Sequence, residues 1–368
     1  MKFGFNIPVD LNFGAGVVNG NREKFNLGKK AMIVTGKNSA RISGALVDVL
    51  DALSSNGTDY VVYDGIRNNP DLDNISEGAD YGRAGGIDFI VAIGGGSPMD
   101  AGKAIAALCT NDIEPIDLIG KKLNERPLPI IAIPTTAGTG SELTPYAVLT
   151  VPSMKTKKSF YSPFIFPVSA FADPCYTYSL PYLVTIDTAF DAFSHLLESY
   201  LSLKSTPLND LIALEGIKAF AECRQAISEK LIIAETREKM MYASCLGGMA
   251  IAHTGTTMLH AMGYSLTYFR NYSHGRANAM LIGEYLRFNY KKTSWKIDNV
   301  MKILGFRNID DAEEFFSMGL DGRPLISDED CRTYAKLVME QGNIRQNPRT
   351  VEEEDIYDIY VKLFGGIQ

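Results

Sequence analysis

Phe89-Ile-Val-Ala-Ile-Gly-Gly-Gly-Ser-Pro-Met-Asp-Ala-Gly-Lys103 decides how the first half of this chain is read. Its apolar start, rich in β-branched residues, predicts a strand buried on both faces, as in a parallel sheet covered by helices. The strand runs straight into Gly94, Gly95 and Gly96, which let a backbone approach a ligand closely and take dihedrals closed to other residues. Ser97 is then placed to cap a helix, Pro98 to fill its first position and Asp100 its third. Strand, glycine turn and capped helix make an anion site from backbone N–H groups and the helix dipole. The spacing is neither GxGxxG nor a Walker A loop, and a plain strand-to-helix turn stays open as the alternative.

The same pattern repeats on either side. Ala31-Met-Ile-Val-Thr35, Tyr60-Val-Val-Tyr63 and Pro129-Ile-Ile-Ala-Ile133 are further apolar, β-branched runs. Ile42 to Ser54 and Met99 to Leu108 carry helical periodicity between them. Strand, helix, strand repeated in this way predicts βαβ units wound into an open, mostly parallel sheet, with ligands at the carboxyl ends of the strands. From about Thr185 onward the long periodic segments are helical: Thr188–Ser202, Asp210–Ser228, Thr236–His253, Ala277–Tyr290 and Glu352–Phe364. The expected organisation is an α/β domain over residues 1–183 and an all-helical domain over 184–368.

The whole chain narrows the classes of function. Its 368 residues carry 36 Lys and Arg against 43 Asp and Glu, a net charge of −7 without a basic block. That balance disfavours nucleic acid and anionic lipid as partners. No apolar run reaches the ~18 residues of a membrane span, and the first residues lack the apolar core of a signal peptide. Cys109, Cys175, Cys223, Cys245 and Cys331 are widely spaced and odd in number, which argues for free thiols in a reducing, cytoplasmic compartment. A soluble cytoplasmic enzyme is the expectation.

A second loop follows the strand ending at Ile133: Pro134-Thr-Thr-Ala-Gly-Thr-Gly-Ser-Glu-Leu-Thr144. The hydroxyls of Thr135, Thr136 and Thr139 would line a polar ligand without adding charge, or serve only to build the loop. Gly14-Ala-Gly-Val-Val-Asn-Gly20 nearly matches GxGxxG but misplaces its last glycine, and it follows a poor central strand; it reads as a structural turn.

The histidines are at 195, 253, 260 and 274 only. Asp191 and His195 stand at i and i+4, so both project from one helix face. His260 closes a small-residue stretch, and His274 precedes another helix. One carboxylate and three imidazoles suit Fe(II) or Zn(II) and leave room for a substrate oxygen. Read singly, each histidine is equally at home as a packed side chain. His253 lies two turns from His260 and reads as packing, and Asp187 as a residue at a helix start.

With these segments together, the chain resembles the iron-dependent (group III) alcohol dehydrogenases, closest to 1,3-propanediol and butanol dehydrogenase-like members. The likeness rests on Gly94 to Ser97 with Asp100, Pro134 to Thr144, Asp191-Ala-Phe-Ser-His195, and His260-Ala-Met through His274-Gly. It implies that the glycine turn holds a dinucleotide pyrophosphate and that the threonine loop lines its path. It implies also that Asn69, Tyr146, Lys157 and Leu180 touch the cofactor, and that Asp191, His195, His260 and His274 bind the metal through which catalysis runs. A homodimer is the implied assembly, and a small alcohol or aldehyde the implied substrate.

Two departures from the family pattern stand out. NAD-preferring relatives often carry an aspartate after the first strand, where this chain has Gly36-Lys-Asn-Ser39. Gly36 makes room for a 2′-phosphate that Lys37 and Ser39 would bind, which favours NADP over NAD. Some relatives also carry a proton-relaying histidine four residues past His260. Here that position is Tyr264, read as an aromatic wall or an acid–base group. Phe160, Tyr161, Phe269 and Tyr272 suggest further walls of the same pocket. The rival readings are a glycerol dehydrogenase-like zinc enzyme using NAD, a dehydroquinate synthase-like lyase, and a non-catalytic NADP-binding scaffold.

Overall fold

The apolar runs of the first half stand side by side in one sheet. The computed structural model describes residues 2–319 and 322–365. Two compact units divide the chain, one spanning Gly4–Leu180 and the other taking in the chain from Pro181 onward together with Lys2 and Phe3. The change of composition expected after residue 183 thus falls one helical turn beyond the division. The outermost positions of the two expected domains, Met1 and Gly366 to Gln368, lie outside the described residues, as do Leu320 and Asp321.

The first unit runs β1 (Asp10–Phe13), α1 (Val17–Gly20), β2 (Lys30–Thr35), α2 (Ser39–Ile42), α3 (Ala45–Ser55), β3 (Asp59–Tyr63) and α4 (Leu72–Gly85). It continues with β4 (Phe89–Gly94), α5 (Gly96–Thr110), β5 (Ile130–Pro134), β6 (Tyr146–Val151), β7 (Thr156–Tyr161) and β8 (Ser169–Ala172). Six strands pair in parallel in the order β1-β8-β5-β4-β2-β3, while β6 and β7 form a separate antiparallel pair. Alternation along β2, β4 and β5 sends Met32, Ile90 and Ala132 into one core and Ile33, Val91 and Ile131 into the other. Each Val or Ile so enclosed contributes ~1.5–3 kcal/mol relative to exposure.

The chain passes from β2 outward to β3, then returns to the far side of β2 to make β4. The order therefore reverses between β2 and β4, and the crevice beyond their carboxyl ends is where an open sheet of this kind receives a ligand. Gly36 and Gly94 to Ser97 occupy those two ends.

Two expectations are corrected here. Tyr60-Val-Val-Tyr63 is not buried on both faces: β3 is an edge strand, and Tyr60 is exposed. The helix expected over Ile42–Ser54 is broken at Gly44, whose φ of 86° separates α2 from α3. The run before Gly14, read as a poor central strand, forms β1 at the opposite sheet edge against β8. The Gly14–Gly20 segment is a turn into the short α1, with no ligand-facing helix of any length.

The second unit is helical: α6 (Tyr182–Leu201), α7 (Pro207–Ser228), α8 (Ala234–Thr254), α9 (Met258–Arg270), α10 (His274–Leu304), α11 (Ile309–Phe316), α12 (Asp328–Met339) and α13 (Glu353–Phe364). Helix α6 is enclosed along most of its length. Its Phe190 and Phe193 pack against Phe220 of α7 and Phe316 of α11, the Phe193 and Phe316 rings stacking at 4.7 Å. Such burial holds α6 as a rigid rod, which matters because it carries chemistry as well as core.

Candidate metal centre and nucleotide-binding turn

Helix α5 starts two residues earlier than its sequence suggests. Gly95, in extended backbone, is the N-cap, Gly96 the first helical residue and Ser97 the second, so Ser97 does not cap the helix. Among the described residues no side chain caps this end, which leaves the first N–H groups of a four-turn helix directed at the crevice. A Cβ at Gly95 would lie 3.2 Å from the Thr136 hydroxyl, and one at Gly96 2.7 Å from the Thr139 methyl. The glycines are thus required by the threonine loop, which packs where side chains would be. The buried Thr135 hydroxyl has no hydrogen-bond partner among the described residues.

Ser97 instead accepts from the backbone N–H of Asn69 (3.1 Å). Asn69 has a left-handed φ of 54°, and its side-chain oxygen accepts from the buried Lys157 ammonium at 2.7 Å. The Thr150 hydroxyl donates to its carbonyl at 2.9 Å. One network thereby joins Asn69, Ser97 and Lys157, residues far apart in the chain.

Both carboxylate oxygens of Asp100 are engaged within the first unit. It accepts from the Ser141 hydroxyl at 2.7 Å and from the Val148 N–H at 2.9 Å, tying α5 to the threonine loop and β6. Desolvation raises its carboxyl above the ordinary value, against the pull of Lys103. One turn on, the fully buried Lys103 ammonium donates to the Ser141 carbonyl and hydroxyl, to the Thr144 hydroxyl and to the Tyr146 carbonyl, at 2.6–3.1 Å. Burial brings its ammonium down to about 8, against the favourable charges of Asp100 and Glu142. The Tyr146 phenol, pushed up to about 12 by burial, lies beside Tyr161, the ring centroids 5.3 Å apart. Gly36 leaves room for a side chain, the nearest atom to an added Cβ being the Ile66 carbonyl at 3.5 Å. Lys37 is exposed and Ser39 half-buried at the same strand end. Leu180 is half-buried at the last position of this unit, after β8.

In the helical unit, Asp191, His195 and Glu198 lie on one face of α6. His260 is in the first turn of α9, and His274 opens α10. The ligand atoms of Asp191, His195 and His260 lie within 4.8 Å of one another, and all three residues are buried. Asp191 Oδ1 is 3.5 Å from His260 Nε2 and 3.8 Å from His274 Nε2. The His195 and His260 rings stack at 4.5 Å, and those of His260 and His274 meet edge-on at 5.0 Å. His274 is the most open of the set, on the rim.

The donors fit a first-row ion. Bonds of about 2.0–2.2 Å in a tetrahedral set place neighbouring ligand atoms roughly 3.3–3.6 Å apart, near the spacings around Asp191. Burial raises the cost of charge on Asp191, but His195, His274 and His260 outweigh it and hold its carboxyl well below the carboxylate range. Burial likewise opposes charge on His260, yet Glu198 and Asp191 push its imidazole up to about 9. A cation entering here therefore competes with a proton.

Two groups the sequence reading did not single out surround these ligands. Glu198 Oε2 contacts His260 Nδ1, and Glu198 Oε1 accepts from the Thr257 N–H (2.8 Å) and the Thr257 hydroxyl (2.7 Å). The Asn278 amide nitrogen donates to Asp191 Oδ1 at 3.1 Å and lies 3.2 Å from His260 Nε2. Glu198 was open to detection as the next acidic residue on the Asp191–His195 face; Asn278 gave no local signal.

Asp187 is not at a helix start. It lies in the second turn of α6, accepts from Ser273 and Arg276, and so clamps the segment that delivers His274. A Cβ on Gly275 would fall 1.8 Å from the Asp187 carbonyl oxygen, so α10 touches the α6 backbone there. His253 closes α8, with its Nδ1 3.1 Å from the Met249 carbonyl, apart from the clustered ligands. The buried Tyr264 ring stacks on His274 at 5.6 Å. The expected aromatic wall does not form as one surface: Phe160 is in the sheet core and Phe269 stacks on Tyr334 at 4.8 Å.

Comparison with known proteins agrees with this architecture. The family of iron-containing alcohol dehydrogenases matches residues 8–174, and the C-terminal domain of the Fe-containing alcohol dehydrogenase family matches 185–364. The 1,3-propanediol dehydrogenase of Citrobacter freundii is 33% identical, over 98% of this chain and 99% of its own length. The crystal structure of an iron-containing alcohol dehydrogenase from Thermotoga maritima superposes with a TM-score of 0.91 at 36% identity, over 99% of each chain. Sulfoacetaldehyde reductase from Bifidobacterium kashiwanohense, crystallised with NAD+, superposes with a TM-score of 0.87 at 29% identity over 99% of each chain.

The chain belongs to the iron-containing alcohol dehydrogenase family. It is an oxidoreductase of alcohols and aldehydes.

Proposed function

We propose that the chain transfers hydride reversibly between a primary alcohol or its aldehyde and NADP(H), with Asp191, His195, His260 and His274 holding Fe(II) or Zn(II). The observation that carries this reading is the buried cluster of Asp191, His195 and His260. When bound, the ion supplies a Lewis acid for the substrate oxygen. Asp191 provides the anionic charge the ion needs in a dry site, and α6 fixes it relative to His195. The Tyr264 ring orients His274 and keeps water from that side of the imidazole. At the crevice the uncapped start of α5 receives the pyrophosphate, Thr135 offers its spare hydroxyl, and the Asn69–Lys157 network holds the loop that borders it.

The preference for NADP rests on the end of β2, where no carboxylate follows Thr35 and Gly36 leaves open space beside Lys37 and Ser39. The relative crystallised with NAD+ makes NAD the competing cofactor. Among the described residues no helix is long and apolar enough to cross a membrane. A cytoplasmic homodimer acting on a small alcohol, without nucleic acid, accords with the family likeness and the acidic composition.

The test is the initial rate of NADPH oxidation with butanal, by metal-stripped protein reloaded anaerobically with Fe(II). Turnover in the reloaded protein alone is the expected result. An equal rate in stripped protein overturns the metal assignment, and a higher rate with NADH overturns the cofactor assignment.

A further inference from the structure

Glu198 is a fully buried carboxylate, and among the described residues no lysine or arginine pairs with it. The groups that meet it are the Thr257 N–H and hydroxyl, the His260 N–H at 3.3 Å and His260 Nδ1. The division of labour between its oxygens is clear. Oε1 takes the Thr257 and His260 backbone donors, which are the orphan N–H groups at the start of α9. Oε2 takes the imidazole alone. Thr257, the N-cap residue of α9, does not bond to that helix through its own side chain; its hydroxyl turns to Glu198 and lies 3.0 Å from the Tyr285 phenol.

We infer that Glu198 is a positioning residue for the metal site, capping α9 with one oxygen and fixing the His260 ring and tautomer with the other. This rests on the metal-site reading above. A carboxylate without a proton only accepts, so the Nδ1 atom facing it carries hydrogen, and Nε2, on the Asp191 side of the ring, is the nitrogen left to coordinate. Because the same carboxylate holds the backbone N–H of His260, ring and helix end are set together. A carboxylate on α6 thus places a ligand on α9, while His195 and Asp191, one and two turns back on α6, supply ligands directly. Three residues of a single helix thereby determine where the three clustered ligands stand.

The probe is Co(II), added to stripped full-length protein, with affinity measured by chelator competition and geometry by the visible d–d spectrum. The inference predicts that Glu198→Gln, which must turn a donor toward one of the two sets, weakens Co(II) binding by ~10–100-fold and alters the spectrum. Thr257→Val removes one donor to Oε1 and leaves Oε2 in place, so affinity should stay within ~3-fold of the parent. Glu198→Asp keeps the charge but retracts it, and an intermediate affinity is expected. If Glu198→Gln does not fold, Glu198→Asp carries the test. Parent-like affinity and spectrum in the Glu198 variant, alongside loss of binding in His260→Ala, overturn the positioning role alone. Parent protein that binds no Co(II), or a His260→Ala variant that binds like the parent, overturns the metal site itself.

Discussion

At the start of α5 the groups offered to a ligand are backbone N–H groups and hydroxyls, whereas on α6, α9 and α10 they are side-chain carboxylate and imidazole. The first arrangement depends on where the chain turns, so its specificity resides in glycines and in the buried contacts that hold two loops together. The second depends on residue identity, and the helices serve to bring four side chains to one place. A substitution near α5 should therefore act through loop geometry and fold stability, while one among the histidines should act through metal occupancy at nearly constant stability. The two kinds of site fail differently.

His260→Ala gives the sharpest contrast. Turnover should fall by at least ~10³-fold, since a positioned Lewis acid is worth several kcal/mol, while NADPH affinity stays within a few-fold. Metal analysis, steady-state rates and NADPH fluorescence titration together would expose any crossover, and a comparable loss of nucleotide affinity would break the comparison.

Lys103→Met probes the other side. The ammonium spends its hydrogen bonds inside the unit, where it braces Ser141, Thr144 and Tyr146. Removing one partner of a buried charged group costs about 3–5 kcal/mol, so the variant should unfold earlier and bind NADPH more weakly while Co(II) affinity is unchanged. The pH dependence has a definite sign. Folding lowers this ammonium from 10.5 to about 8, so between those values the unfolded chain holds the proton that the folded one has lost. Stability from this group rises with pH across that window, by an amount on the order of 1–3 kcal/mol, and is flat below it. Denaturant melts of parent and variant from pH 7.5 to 10.5 would show the rise in the parent only.

The smallest effect is expected from Tyr264→Phe, which keeps the ring against His274 and removes only the hydroxyl. Turnover should hold within ~3-fold, whereas loss of a general acid would cost 10²-fold or more. A loss that large would make Tyr264 the proton donor and give the helical unit a second task beyond holding metal.

The central strands were legible because β2, β4 and β5 are apolar on both faces, a pattern that only a covered parallel sheet requires. Asp191 and His195 were legible because their spacing is local. Glu198 follows three residues on along the same face, but its contact with His260 spans 62 positions, and no periodicity announces such a pairing. Ser97 was misread as a cap because Ser-Pro resembles a helix start, and the glycines let α5 begin before it. Aromatic residues gave no separation of wall from core, since Phe160 and Phe269 satisfy the same hydrophobic pattern either way. Lys103 was invisible as a brace, because nothing in its neighbourhood signals that a lysine will be buried.

The contact between Gly275 and the Asp187 carbonyl fixes the spacing of two ligand-bearing helices by the lack of a side chain. In a saturation library at this codon, selection for alcohol oxidation would leave glycine codons and clear the rest, alanine included. The hydrogen at that position is thus the gauge by which α10 approaches α6, and a single methyl group would move His274 away from Asp191 without changing the identity of any clustered residue.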